Sequence, residues 1–272
     1  LDCTYDPQWR RTQKIVSTWN GSAYVAASTN RFIFDGWNLL ALLDCTNGLM
    51  QSFVWGLDAS GSLQGAGGVG GLISTTIHQG TNAGTYFYCY DGNHNVTALV
   101  NASNGAVAGQ WEYDAFLNVI RATGPLAYAN PFLGSTKFYD WETDFYYYGY
   151  RYYDPSTGRW LSRDPSEEEG GPGLYVFVAN NAMYSVDGLG EEGIVIVTLP
   201  VPKNGTKDGF EYAATQAVVD KQSKGGWLIV NVNDISDANN KLRTASKCEC
   251  IKELNIVGHA NRGFQNVAST TD

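Results

Sequence analysis

The stretch that decides the fold is YYGYRYYDPSTGRWLSRDP, which spans residues 147–165. Its tyrosines and tryptophan favour a pleated, half-buried surface. The Asp-Pro-Ser-Thr-Gly segment inside it supplies turn residues, because Pro presets φ, Asp bonds its own backbone and Gly accepts positive φ. Aromatic runs that alternate with turns predict short antiparallel strands. The tyrosine cluster at 146–153 is therefore interpreted as core packing, in preference to a sugar-binding platform.

A pair formed by an aromatic residue and Asp recurs upstream of this stretch. It occurs at 5–6, 34–35, 90–91 and 113–114, and the last two copies lie 23 residues apart. Each copy predicts a strand, a turn and a second strand. Hairpins of this kind bury one face only against neighbouring hairpins. So few copies therefore predict the last turns of a longer stack of β-hairpins.

Composition divides the 272 residues into two regions. Residues 1–190 hold 32 of the 36 aromatic residues and a net charge of −8, whereas residues 191–272 hold seven of the nine lysines and a net charge of −1. The acidic balance of the first region argues against a nucleic-acid partner, since phosphate binding needs clustered Lys and Arg. No apolar run approaches the roughly 20 residues of a membrane-spanning helix, so no membrane span is predicted.

The second region has the pattern of a different fold. Apolar runs at 193–199, 227–232 and 254–257 predict strands covered on both faces. Helical spacing of apolar residues at 208–224, and a capped segment at 234–246, predict helices between them. Strands that alternate with helices predict a parallel sheet. Residues 191–272 are therefore expected to be a small, incomplete α/β domain that follows a mainly β region at 1–190.

The segments 147–165, 173–181 and 186–190 closely resemble the signature of the RHS repeat-associated core domain, found in bacterial RHS-repeat (YD-repeat) proteins. This resemblance implies that the hairpins are part of a hollow β-shell that encloses a variable C-terminal domain, often a toxin. It also implies a bacterial protein that is secreted or exposed at the cell surface. Neither a metal nor a cofactor is predicted.

The resemblance further implies a self-cleaving aspartyl protease, with Asp164 and Asp187 as its catalytic pair, 23 residues apart. Two close carboxylates share a proton, so that one activates water and the other donates to the scissile carbonyl. The family cuts just after its second Asp-Pro-x-Gly-Leu motif, which here lacks the proline. Glu191 occupies the leucine position, the alternative being a gap that places Leu189 there. The alternative is that both aspartates serve only as turn and cap residues. The predicted cleavage region comprises Leu189, Gly190, Glu191 and Glu192.

Two further features were weighed for chemistry. His259 follows the last predicted strand and faintly resembles the His-Gly element of caspase-like cysteine peptidases, the alternative being a turn histidine without chemistry. The glycine-rich stretch 65–71 lacks the Lys-Ser/Thr and the strand-then-helix context of a phosphate-binding loop. It is interpreted as a flexible hairpin tip.

Three functions fit these observations. The first is a toxin or effector carrier whose shell encloses its own C-terminal domain as cargo and frees it by autoproteolysis. An immunity protein or a secretion-system component would be the expected external partner. The second is a structural or adhesive cell-surface protein that binds glycans or neighbouring cells without cleavage. The third is a scaffold for a C-terminal hydrolase.

Overall fold

The computed structural model describes residues 1–167, 173–183, 185–191, 193–196 and 228–229. A ten-stranded antiparallel sheet forms the first part of the chain, and each strand pairs with its sequence neighbours. Its strands are β1 Asp2–Tyr5, β2 Arg11–Trp19, β3 Tyr24–Asp35, β4 Asn38–Leu43, β5 Leu49–Trp55, β6 Leu72–Ile77, β7 Gly84–Tyr90, β8 Val96–Asn101, β9 Val107–Tyr113 and β10 Val119–Thr123. This meander confirms the mainly β prediction.

The repeated aspartates close the hairpin turns. In three of the copies, Asp6, Asp91 and Asp114, one carboxylate oxygen accepts hydrogen bonds from the backbone N–H groups two and four residues later, at 2.8–3.0 Å. The second oxygen accepts from the side chain four residues later, at 2.7–2.9 Å. An aspartate carboxylate that accepts several hydrogen bonds from the N–H groups of one turn fixes the register of that hairpin locally. The repeat in the sequence is therefore a repeated turn.

A second, four-stranded antiparallel sheet is built from the stretch that decides the fold. Its strands are β11 Phe138–Asp140, β12 Phe145–Tyr147, β13 Tyr152–Asp154 and β14 Arg159–Trp160. Tyr146 and Tyr153 are fully buried, and the ring of Tyr153 stacks on Phe177 with 4.0 Å between centroids. The tyrosine cluster is core, as predicted.

Buried ion pairs connect the two sheets. Arg11 on β2 contacts Asp140 on β11 at 2.5 Å, and Lys14 on β2 contacts the other Asp140 oxygen at 2.9 Å. The Arg11 guanidinium also lies 4.7–4.8 Å from the centroids of three aromatic rings, those of Phe32, Phe138 and Tyr147. Ion pairs this deep need close geometry to offset desolvation. They fix the position of the four-stranded sheet on the larger one.

A third sheet contains β15 Ser185–Asp187, β16 Gly193–Ile196 and β17 Leu228–Ile229. β15 pairs antiparallel with β16, and β16 pairs parallel with β17. The remainder of the predicted α/β domain, including its two helices and third strand, lies outside the described residues. The division at 190/191 stays a prediction. Among the residues described, no helix is both long and apolar enough to cross a membrane.

The glycine-rich stretch 65–71 lies in the connection between the paired strands β5 and β6, as a hairpin tip does. Ala66 and Val69 are fully buried and pack against Val186 of β15. The carboxylate of Asp58 accepts hydrogen bonds from the backbone N–H groups of Ala66 and Gly68, at 2.7 and 3.1 Å. The glycines allow a series of tight turns that pack against the third sheet, a contact that composition alone does not reveal.

Candidate functional site

Asp187 ends β15 and is almost completely buried. Its Oδ1 atom accepts hydrogen bonds from the backbone N–H groups of Leu189 and Gly190, at 3.1 and 2.6 Å. Burial raises the pKa of Asp187 to about 6, although the Arg151 guanidinium opposes the shift. A carboxyl with such a pKa holds a proton much more readily than a surface aspartate.

Asp164 reaches the same place from the loop that follows β14. Its backbone N–H donates to the Leu174 carbonyl at 3.0 Å, and its Oδ1 accepts from the Ser166 backbone N–H at 2.9 Å. Its Oδ2 lies 2.9 Å from Nη2 of Arg151, and Oδ2 of Asp187 lies 3.6 Å from that same nitrogen. The structure therefore brings the two aspartates predicted from the sequence to the same nitrogen of one guanidinium.

Arg151 is the residue of this site that the sequence analysis missed. It lies in the turn between β12 and β13, and its guanidinium carbon is 4.1 Å from the centroid of the Trp160 ring. Its Nε donates to the carbonyl of Gly190. Burial lowers the pKa of Arg151, whereas Asp187 and Asp164 raise it. The sequence does carry a signal for this role: an arginine lies within a run of tyrosines expected to be buried. A buried arginine needs partners for its charge.

The strap, defined as Gly188–Glu191, directly follows Asp187 and contains the described part of the predicted cleavage region, which is Leu189, Gly190 and Glu191. The carbonyl of Leu189 accepts a hydrogen bond from the Tyr150 backbone N–H at 3.0 Å. Among the residues that the structure describes, the Glu191 carbonyl accepts one long hydrogen bond, 3.4 Å, from the Ser166 hydroxyl. Partial burial raises the pKa of the Glu191 side chain, and the Asp164 carboxylate raises it further. The strap thus passes beside Asp164 at Glu191.

Other predicted features fall elsewhere. His259 and Glu192 lie outside the described residues, so neither is placed. Within the described part of the chain, no group of three or more His, Cys, Asp or Glu side chains is arranged to hold a metal ion. The described chemistry of the site therefore consists of two carboxyl groups, one guanidinium and the backbone of the strap.

Comparisons with known proteins point to one group. The tRNA3(Ser)-specific nuclease WapA of Bacillus spizizenii is 32% identical over 190 residues, which cover 67% of this chain and 7% of that protein. Toxin subunit YenC2 of Yersinia entomophaga is 51% identical over 45 residues, 16% of this chain and 5% of that subunit. A crystal structure of TcdB2-TccC3-Cdc42 matches the fold with a TM-score of 0.53 and 23% identity, over 70% of this chain and 9% of that chain. The chain therefore spans less than a tenth of each relative. No protein-family model matches it.

Proposed function

Because this chain belongs to the RHS-repeat (YD-repeat) family of toxin-carrying proteins, we propose that its hairpin sheet is part of a shell around a C-terminal effector, which the core frees by cutting its own chain. The observation that carries this proposal is the convergence of Asp164 and Asp187 on Arg151, beside the strap. Turn or cap aspartates do not need a shared buried cation, whereas two carboxyl groups that lie close together in a buried site are stabilised by one.

The two carboxyl groups differ in a way that assigns their roles. Asp187 is the more buried, and its pKa of about 6 makes it the proton donor. Asp164 then acts as the base: it takes a proton from a water molecule whose oxygen attacks the scissile carbonyl carbon, while Asp187 protonates the carbonyl oxygen. Collapse of the tetrahedral intermediate breaks the C–N bond: the leaving nitrogen takes the proton that Asp164 removed from water, and one hydroxyl of the intermediate returns its proton to Asp187.

The peptide bond between Glu191 and Glu192 is the proposed point of cleavage. Backbone and side-chain donors hold the carbonyls of Leu189 and Gly190. Within the described part of the chain, the Ser166 hydroxyl is the one donor to the Glu191 carbonyl, at 3.4 Å, and the Ser166 N–H donates to Asp164. A carbonyl that is weakly bonded in the ground state, next to the base and to a hydroxyl donor, gains hydrogen bonding as it becomes an oxyanion.

The cargo in this proposal is the chain's own C-terminal domain, released from Glu192 onwards. A bacterial protein that is secreted or displayed at the cell surface fits such a role. An immunity protein that neutralises the effector, or a component of a secretion system, is the proposed external partner. The effector's own activity is not part of the proposal.

An adhesive role without cleavage is the second candidate, and one feature favours it. The long β2–β3 hairpin carries Trp19 and Tyr24 at its tip, 58% and 75% exposed, with ring centroids 5.2 Å apart. Exposed aromatic faces of this kind suit contact with glycans or with another protein. The cleavage experiment separates the two candidates.

The test is expression of the full-length protein, with its upstream repeats, beside Asp187→Asn and Asp164→Asn variants on a denaturing gel. We expect two fragments for the wild type, with the smaller one beginning at Glu192 by mass spectrometry, and one uncut band for each variant. The cleavage rate should rise as the pH falls from about 8 to about 6, because the protonated fraction of Asp187 grows in that range. A wild-type chain that stays uncut would reject the protease and favour the adhesive role.

A further inference from the structure

Lys137 is a buried lysine that the mechanism above does not use. It directly precedes β11, is 5% exposed, and its ammonium lies 5.6 Å from the centroid of the Tyr148 ring. Its Nζ donates to the carbonyl of Gly67 at 2.7 Å and to the carbonyl of Gly188, the first residue of the strap, at 2.5 Å. Burying an ammonium without a direct carboxylate partner is costly, so its position next to the strap calls for a reason.

The charges around Lys137 connect it to the catalytic pair. Burial lowers the pKa of Lys137 to about 8, and the carboxylates of Asp187 and Asp58 oppose that shift. In turn, the positive charge of Lys137 lowers the pKa of Asp187, and the positive charge of Arg151 lowers it more. His94 also interacts electrostatically with Asp58, and burial lowers the pKa of His94. Lys137 therefore carries most of its charge at neutral pH and acts on the proposed proton donor.

Gly67 brings the glycine-rich loop against the same strap residue. Its φ is +60°, and a Cβ at this position would lie 2.2 Å from the carbonyl oxygen of Gly188. The neighbouring Gly70 donates its N–H to the Thr136 hydroxyl at 2.8 Å, which ties the loop to the residue preceding Lys137. Only glycine permits this close backbone approach without displacing the strap.

The strap is consequently held at three successive carbonyls by two parts of the chain, Lys137 and the turn that contains Tyr150 and Arg151. Lys137 holds Gly188, the Tyr150 N–H holds Leu189, and Arg151 holds Gly190. The next carbonyl in the series is the one proposed for attack. Each anchor thus fixes the distance of the scissile bond from the carboxyl pair.

We propose that Lys137 and Gly67 form a seat for the strap, and that Lys137 is a positioning residue for self-cleavage. This inference rests on the proposed self-cleavage and deepens it. The seat sets the register of the strap, so that Glu191 reaches Asp164. The positive charge of Lys137 also lowers the pKa of Asp187. The glycine-rich loop is then a functional part of the site.

The experiment measures the self-cleavage rate of full-length protein between pH 5 and 9, for the wild type, Lys137→Met, Lys137→Arg and Gly67→Ala. A misplacement of about 1 Å can slow a reaction about 100-fold, so we expect Lys137→Met to slow cleavage at least tenfold. It should also move the midpoint of the pH profile upwards, because a charge that lowers the pKa of Asp187 is lost. Lys137→Arg should keep the wild-type midpoint. Gly67→Ala should slow cleavage without moving the midpoint.

Lys14→Met is the matched control, because it removes another buried lysine, whose partners are Asp140 and Glu142. It should keep the wild-type rate and midpoint, and thermal melts followed by circular dichroism identify the variants that fold. The inference is overturned, with the proposed function intact, if folded Lys137→Met is cut with the wild-type rate and midpoint, or if Lys14→Met changes both in the same way. If Lys137→Met does not fold, a wild-type rate in Gly67→Ala overturns it instead. An uncut wild type overturns both proposals.

Discussion

Replacing Asp187 with Asn should stabilise the protein at neutral pH, although it removes a residue of the proposed catalytic pair. Burial raises the pKa of Asp187 from an ordinary value of 3.8 to about 6. The ionised form is therefore held in the folded state at a cost, and Asn resembles the neutral form. A residue kept for chemistry at the expense of stability is expected at a functional site.

The size of this cost follows from the shift. One unit of pKa corresponds to about 1.4 kcal/mol, so a shift of about two units corresponds to about 3 kcal/mol. Because the folded-state pKa lies above the unfolded one, the folded state binds the proton more tightly between about pH 4 and pH 6. Stability from this group is present below pH 4, is lost as the pH rises through 6, and stays lost above that pH.

The assay compares Asp164→Asn with the Asp164→Asn, Asp187→Asn double variant, so that both chains are uncut. Urea unfolding is measured from pH 4 to pH 8. From pH 4 to pH 8, the stability of the double variant should rise by about 3 kcal/mol relative to that of Asp164→Asn. A stability difference between the two variants that is independent of pH would refute the reasoning.

Two further predictions concern the framework that carries the site. Asp140→Asn leaves the buried cations Arg11 and Lys14 without their shared carboxylate, and it should lower the unfolding free energy by about 3–5 kcal/mol in urea titrations; a loss below 1 kcal/mol would contradict this. Phe177→Ala removes a ring that is 1% exposed and should cost about 3–5 kcal/mol in the same assay, whereas Tyr175→Ala, at a 45% exposed position, should cost less than about 1 kcal/mol.

The hairpins could be predicted from the sequence because their chemistry is local. An aspartate and the N–H groups that it binds lie within four residues of each other, as at Asp91 and Asp114. Strand and turn preferences therefore agree with the final fold at each repeat. The buried tyrosines of the signature follow from the same agreement between aromatic content and a pleated, half-buried surface.

The rest of the site depends on distant partners that no local pattern reveals. Lys137 meets Gly67 and Gly188 across 70 and 51 residues, and Arg11 meets Asp140 across 129 residues. The family resemblance predicts the aspartate pair. It does not predict Arg151, whose guanidinium both aspartates contact. Spacing within a sequence does not fix which distant side chains share a buried volume, because sheet packing decides it.

The order of strands in the ten-stranded meander has a consequence for timing during synthesis. Each strand bonds to the one made just before it, so hairpins can form while the ribosome is still adding residues. The two aspartates, the arginine between them and the lysine beneath the strap all lie later in the chain than this sheet, at positions 137–187. The ten-stranded sheet can therefore form before the residues of the proposed cleavage site are synthesised. On this order of synthesis, the proposed self-cleavage follows the folding of the sheet.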